Sequence, residues 1–134
     1  MSAAFDLRTL LAILVGGGLG SVARYTVAVF MTARVGPGFP WATLLINVTG
    51  SLLIGIIAEL SVTRVIAMPN FMRVFWMIGF LGGYTTFSTF SLDIVTLIGA
   101  DRTALLGVAY AMGSVALGVL AAFGGMVLVR SAQL

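Results

Sequence analysis

The sequence predicts an all-α integral membrane protein: one domain spanning residues 1–134, with four transmembrane helices of which the third is broken. Three observations predict it. The 134-residue chain is 60% hydrophobic and 8% charged, against about 25% charged residues in soluble domains, and its mean hydropathy is +1.17. A domain of this size keeps a large share of its residues exposed, so lipid is the solvent for most of that surface. The apolar residues also fall into four runs of the length a membrane crossing needs. Between them stand "RVGPGFP" at 34–40, "RVIAMPN" at 64–70 and "GADR" at 99–102, which carry the glycine and proline punctuation of joints.

The first run extends from about Thr9 to Ala33. It is too long for a signal peptide, lacks a clear small-residue cleavage site and contains Arg24. That arginine either snorkels to the interface or stands at a vestibule where it raises the local anion concentration. The second run, Trp41 to about Ser61, carries Thr43, Asn47 and Ser51 at i, i+4 and i+8, a polar stripe on one helix face. Such a stripe serves either helix–helix hydrogen bonding or an ion path. Glu59 and Asp93 lie near span ends, as interfacial residues do.

The third run, Phe71 to about Ile98, has 28 residues. As one helix it would be about 42 Å long at 1.5 Å per residue, against a hydrocarbon core of about 30 Å. It must tilt or break, and Gly79, Gly82 and Gly83 favour a break. Within it, "GGYTTFSTFS" at 82–91 sorts by helical spacing into a row of Tyr84, Phe87 and Phe90 and a row of Thr85, Ser88 and Ser91, with Thr86 and Thr89 as a third. The fourth run, Ala104 to Val129, repeats the i, i+4 polar pattern with Tyr110 and Ser114.

These groups suit an anion. They offer an amide, hydroxyls and aromatic rings with no carboxylate at membrane depth, whereas a cation path normally shows acids or a carbonyl filter. Phenylalanine contributes through the positive edge of its ring quadrupole. A break in the third helix frees carbonyls that lipid cannot satisfy; in discontinuous membrane helices such carbonyls often coordinate Na+. Much other chemistry is excluded. Without histidine, cysteine or paired acids there is no enzyme site, and without lysine there is no Walker-type loop. The seven basic residues are arginines scattered singly, not a nucleic-acid-binding patch.

Orientation is balanced. With four spans, Arg8, Arg64, Arg73 and Arg130 share one side and Arg34 and Arg102 the other, a weak bias by the positive-inside rule. Either both termini are cytoplasmic, or the chain inserts both ways and pairs antiparallel with itself. The small-residue faces Gly16–Gly20, Ser51–Gly55 and Gly118–Ala122 suit close helix approach and self-association. A dimer would also supply an interior for Asn47, Arg24 and the hydroxyl row.

Together "GGGLGSVARY", "WATLLINVTGSLLIG" and above all "GFLGGYTTFSTFS" resemble the Fluc (CrcB-type) fluoride channels over essentially the whole chain. The resemblance implies a dual-topology antiparallel homodimer in the bacterial inner membrane, with two fluoride pores that passively export the ion. It implies that Asn47 is the pore amide, that Phe87 and Phe90 turn ring edges to fluoride, and that Thr43, Ser114, Tyr110 and Thr86 line the pore. Arg24 would stand at the vestibule. The carbonyls of Gly82 and Thr85 would hold a structural Na+ on the dimer axis. The chain departs from the pattern at Ala42, where glycine is usual, and at Gly118, where many members carry a hydroxyl. Two alternatives are a small multidrug-resistance-type exporter and a non-transporting membrane assembly subunit. The exporter needs an acid inside its first span, and here that span has Arg24 and no acid after Asp6.

Overall fold

The computed structural model describes residues 6–63, 68–99 and 104–132. Arg64 and Arg102, which enter the orientation argument, lie outside the described residues. Every described element is helical. Three helices are long and apolar enough to cross a membrane: α1 (Leu7–Val35), α2 (Trp41–Val62) and α6 (Ala104–Ser131). Their ends follow local chemistry. α1 stops where Gly36 adopts φ 76° and donates its N–H to Thr32 O at 2.9 Å, a left-handed turn that glycine takes without a Cβ penalty. α2 starts directly after Pro40, whose fixed φ suits a helix entry.

Between α2 and α6 the chain is divided into pieces: α3 (Asn70–Val74), a π-helical turn (Phe75–Phe80), α4 (Leu81–Tyr84) and α5 (Phe87–Gly99). Thr85 is extended, with φ −79° and ψ 161°. The aromatic row drawn on an uninterrupted helix through 82–91 is therefore not a row. Tyr84 belongs to the piece before Thr85, stacks near Phe80 with ring centroids 6.2 Å apart and shares a 3.0 Å hydrogen bond with Thr49. Phe87 and Phe90 belong to the piece after it. Phe87 is 79% exposed and Phe90 9%. The hydroxyl row dissolves as well: Thr85 Oγ1 donates back to Leu81 O at 2.9 Å, and Ser91 Oγ to Phe87 O at 2.9 Å.

The small-residue faces pack helices of the same chain. A Cβ on Gly16 would come within 2.7 Å of Phe75 O, and one on Gly20 would overlap the Phe80 carbonyl. Gly83 lies equally close to the backbone of Gly17. The α1 glycines thus seat the π-helical turn and α4. Gly55 of α2 meets the backbone of Ala122 on α6, and Gly118 of α6 meets Ser51 of α2. The expectation that these faces serve self-association is corrected: in lipid, close backbone approach is what holds helices together, and here it is already used between neighbours in one chain.

Candidate functional site

The site forms where the chain between α4 and α5 lies against α2. Asn47 binds the backbone of Thr86 in both directions. Its Nδ2 donates to Thr86 O at 3.1 Å and its Oδ1 accepts from Thr86 N–H at 2.9 Å. Such two-way pairing satisfies an interruption that lipid would leave bare. Thr86 then caps α5: its Oγ1 accepts from Thr89 N–H at 3.2 Å, the N-cap arrangement that hydroxyl residues favour. The methyl of Thr85 packs where Gly50 leaves room for it.

These bonds release two carbonyls. In a continuous helix, Thr86 N–H would bond to Gly82 O and Thr89 N–H to Thr85 O. Both N–H groups are taken, by Asn47 Oδ1 and Thr86 Oγ1. Gly82 is exposed, and a Cβ built on it would meet nothing within 4 Å. The donors on offer are neutral oxygens, the freed carbonyls among them, since no cluster of His, Cys, Asp or Glu suited to a metal occurs among the described residues. Carbonyl oxygens suit a hard cation.

Asn47 also stands in the wall between two cavities. One, of about 320 Å³, is lined by Gly82, Thr85 and Thr86; the other, of about 340 Å³, by Phe90, Ser114 and Gly118. Asn47, Ser51 and Phe87 line both. No charged residue lines the second cavity. The ring centroids of Phe87 and Phe90 lie 5.7 Å apart at an interplanar angle of 48°. Ser114 is 8% exposed, and its buried Oγ has no hydrogen-bond partner among the described residues. Buried hydroxyls are nearly always partnered, so an orphan on a cavity wall is a place for a ligand's hydrogen bond.

Thr43 and Tyr110 lie one turn further along the two helices, toward the α1–α2 joint. Both are buried. The Tyr110 ring is wedged between Phe39 and Phe90 with both centroid distances 5.5 Å, and its hydroxyl donates to Asp93 Oδ2 at 3.4 Å. Asp93 and Thr43 line a cavity of about 480 Å³ that opens beside residues 36–40. The structure thus brings Asn47, Phe87, Phe90, Ser114 and Thr86 together, with Thr43 and Tyr110 adjoining. Arg24 stands apart, half-buried on α1 and lining neither cavity beside Asn47.

Sequence reasoning missed two features. Asp93 lines a cavity beside the polar track, where spacing suggested only an interfacial residue. Glu59 is buried and bonded to Arg130. The partners lie 17 and 71 positions away respectively, beyond the reach of helical periodicity. Continued by two more steps of four, the stripe of Thr43, Asn47 and Ser51 reaches Glu59, and that was the available signal.

The fold and the site define a multi-pass membrane protein with an uncharged, amide-, hydroxyl- and aromatic-lined cavity among its helices, the fabric of a small channel. Comparison with known proteins gives the family. The chain belongs to the family described as CrcB-like protein, Camphor Resistance (CrcB), whose model matches residues 11–126. It is 53% identical over 116 residues to the "Fluoride-specific ion channel FluC" of Rhizobium meliloti (strain 1021), covering 87% of this chain and 91% of that one. The protein of the same name from Nitrobacter winogradskyi is 52% identical over 121 residues, covering 90% and 94%. That of Rhodospirillum centenum is 42% identical over 127 residues, covering 94% and 98%.

Proposed function

We propose that this chain is a fluoride-selective channel that lets cytoplasmic fluoride leave the cell passively. One observation carries the assignment of the site. In a single uncharged cavity the Asn47 amide, the rings of Phe87 and Phe90 and the unpartnered Ser114 hydroxyl converge. Asn47 spends one amide hydrogen and its oxygen on Thr86, which leaves its second N–H for an anion. Ring edges, an amide N–H and a hydroxyl can replace the water of a small hard anion without a fixed charge that would trap it. Thr43, Tyr110 and Thr86 extend this lining, and Arg24 concentrates anions at a vestibule.

The assembly is an antiparallel homodimer of oppositely inserted chains with two pores. Each chain crosses the membrane four times, and the third crossing is broken at Thr85–Thr86. The exposure of Phe87 supports pairing, because a residue lining two cavities is 79% open in one chain. The released carbonyls of Gly82 and Thr85 fit a structural Na+ shared with the second copy: two oxygens per chain give four ligands, short of a closed shell only by water or further carbonyls. The ion would supply positive charge that ties the two interrupted segments together.

The driving force needs no machinery. Fluoride enters from acidic surroundings as neutral HF and dissociates in the more alkaline cytoplasm. An inside-negative potential then expels the anion with about 2.3 kcal/mol per 100 mV, a gradient of roughly 50-fold. The test is efflux from proteoliposomes loaded with fluoride or chloride, read by ion-selective electrodes with valinomycin present. Rapid fluoride release with chloride retained is expected. Well-folded protein that releases neither ion would point instead to an assembly subunit.

A further inference from the structure

The seam between α2 and α6 holds the candidate anion site at one level and an ion pair at another. On α2 the positions Thr43, Asn47, Ser51, Gly55 and Glu59 recur every four residues, along one face. Arg130 of α6 lies two helical turns past Ala122, which meets Gly55. Its Nε donates to Glu59 Oε1 at 2.8 Å and its Nη2 to Oε2 at 3.0 Å. The Glu59 side chain is 4% exposed and that of Arg130 57%.

Between these levels the contact is smooth. A Cβ on Gly55 would overlap the Ala122 carbonyl, and one on Gly125 would come within 2.9 Å of Ile56 N. Small residues recur along α6 at Gly107, Ser114, Gly118, Ala122 and Gly125. A slip of one turn, about 5.4 Å, sets Ser51 against Ala122 in place of Gly118, again small against small. Lipid adds no hydrophobic force to select one register. A fork-to-fork arginine–carboxylate pair does select, because it has one good geometry, and fixing register is the best-attested role of a buried polar pair.

We propose that Glu59 and Arg130 are positioning residues: their pairing sets the register of α6 on α2, and through it the level at which Ser114 faces Asn47. The register claim stands on the seam alone; its consequence for anion handling rests on the fluoride function proposed above. The pair is asymmetric. Loss of Arg130 strands a sealed carboxylate, whereas loss of Glu59 leaves an arginine already open to the surroundings and free to snorkel. Arg130→Gln thus lowers the yield of folded protein more than Glu59→Gln does.

The experiment uses the cysteine-free full chain in liposomes. Cysteines introduced as Ser51→Cys with Gly118→Cys report the observed register, and Ser51→Cys with Ala122→Cys report a slip of one turn. In the parent background the first pair cross-links and the second does not. In Glu59→Leu/Arg130→Leu, which removes both charges so that none is stranded, cross-linking spreads to the second pair, and Glu59→Arg/Arg130→Glu restores the parent pattern. An unchanged pattern in the leucine variant overturns the proposal. Should that variant not fold, the same pattern is read in Glu59→Gln. With the cysteines absent, the leucine variant loses roughly tenfold or more in fluoride-over-chloride selectivity, as ångström-scale misplacement of a site does, and the swapped pair recovers it. A slipped register with unaltered selectivity would overturn the link to the anion site. A parent chain that moves no fluoride would sink the functional proposal while the cross-links still decide the register.

Discussion

Asn47 does two things with one side chain, and its substitutions separate them only partly. An aspartate keeps an acceptor for Thr86 N–H but loses the donor to Thr86 O, and it places a negative charge where the anion must shed water. Asn47→Asp is expected to abolish fluoride efflux; parental efflux in liposomes would remove Asn47 from the site. The two phenylalanines differ. Phe87 is 79% exposed within one chain, so Phe87→Ile should lower the thermal midpoint of the detergent-solubilised protein less than Phe90→Ile does while impairing conduction. Phe90 packs on Tyr110, so Phe90→Ile impairs conduction and also lowers the midpoint. Equal midpoints for the two variants would contradict that packing. At this scale the sequence was informative about identity and poor about partners. The Thr43, Asn47 and Ser51 stripe was legible as a face, yet the bond from Asn47 to a backbone 39 positions away was not, because periodicity describes one helix and says nothing of its neighbour.

At the scale of elements, glycines differ in what their missing Cβ permits. Gly20 faces the backbone of the neighbouring segment, with Phe80 O overlapped and Tyr84 N 2.9 Å away. Backbone cannot step aside, so Gly20→Ala should cost about 1–3 kcal/mol by overpacking. Gly18, two positions earlier, has nothing within 4 Å, and Gly18→Ala should be neutral or stabilising by up to about 1 kcal/mol through helix propensity. Thermal unfolding of the two variants checks the contrast, and similar midpoints would refute it. The long helices were almost fully legible. The runs expected at Thr9–Ala33, Trp41–Ser61 and Ala104–Val129 are found at Leu7–Val35, Trp41–Val62 and Ala104–Ser131, since hydropathy and Gly/Pro punctuation act locally. The π-helical turn at Phe75–Phe80 left no such mark. Its residues Gly79 and Phe80 lie on the α1 glycines, a contact between segments far apart in sequence that local hydropathy cannot show.

For the whole molecule, the proposed pairing makes conduction a property of two chains. Fluoride efflux per chain should therefore fall as protein is diluted in lipid, and follow the dimer fraction counted by single-molecule photobleaching. Efflux per chain that stays constant while dimers disappear would mean that one chain suffices. How the arginines are engaged was readable from the sequence only in part, because the pairing of Arg130 with Glu59 joins positions 71 residues apart.

The shut contact of Gly55 against Ala122 has a consequence for traffic. Thr43 lines the cavity beside residues 36–40, and Asn47, Ser51 and Gly118 line the next one along the seam; beyond them the two helices close backbone on backbone. Within one chain that seam leaves no room past Gly55. In the function proposed above, an ion at this level would leave sideways beside the exposed Phe87, and the second copy's surface would roof that exit. One chain holds a trough, and in the pairing proposed above two troughs laid together would make a tunnel.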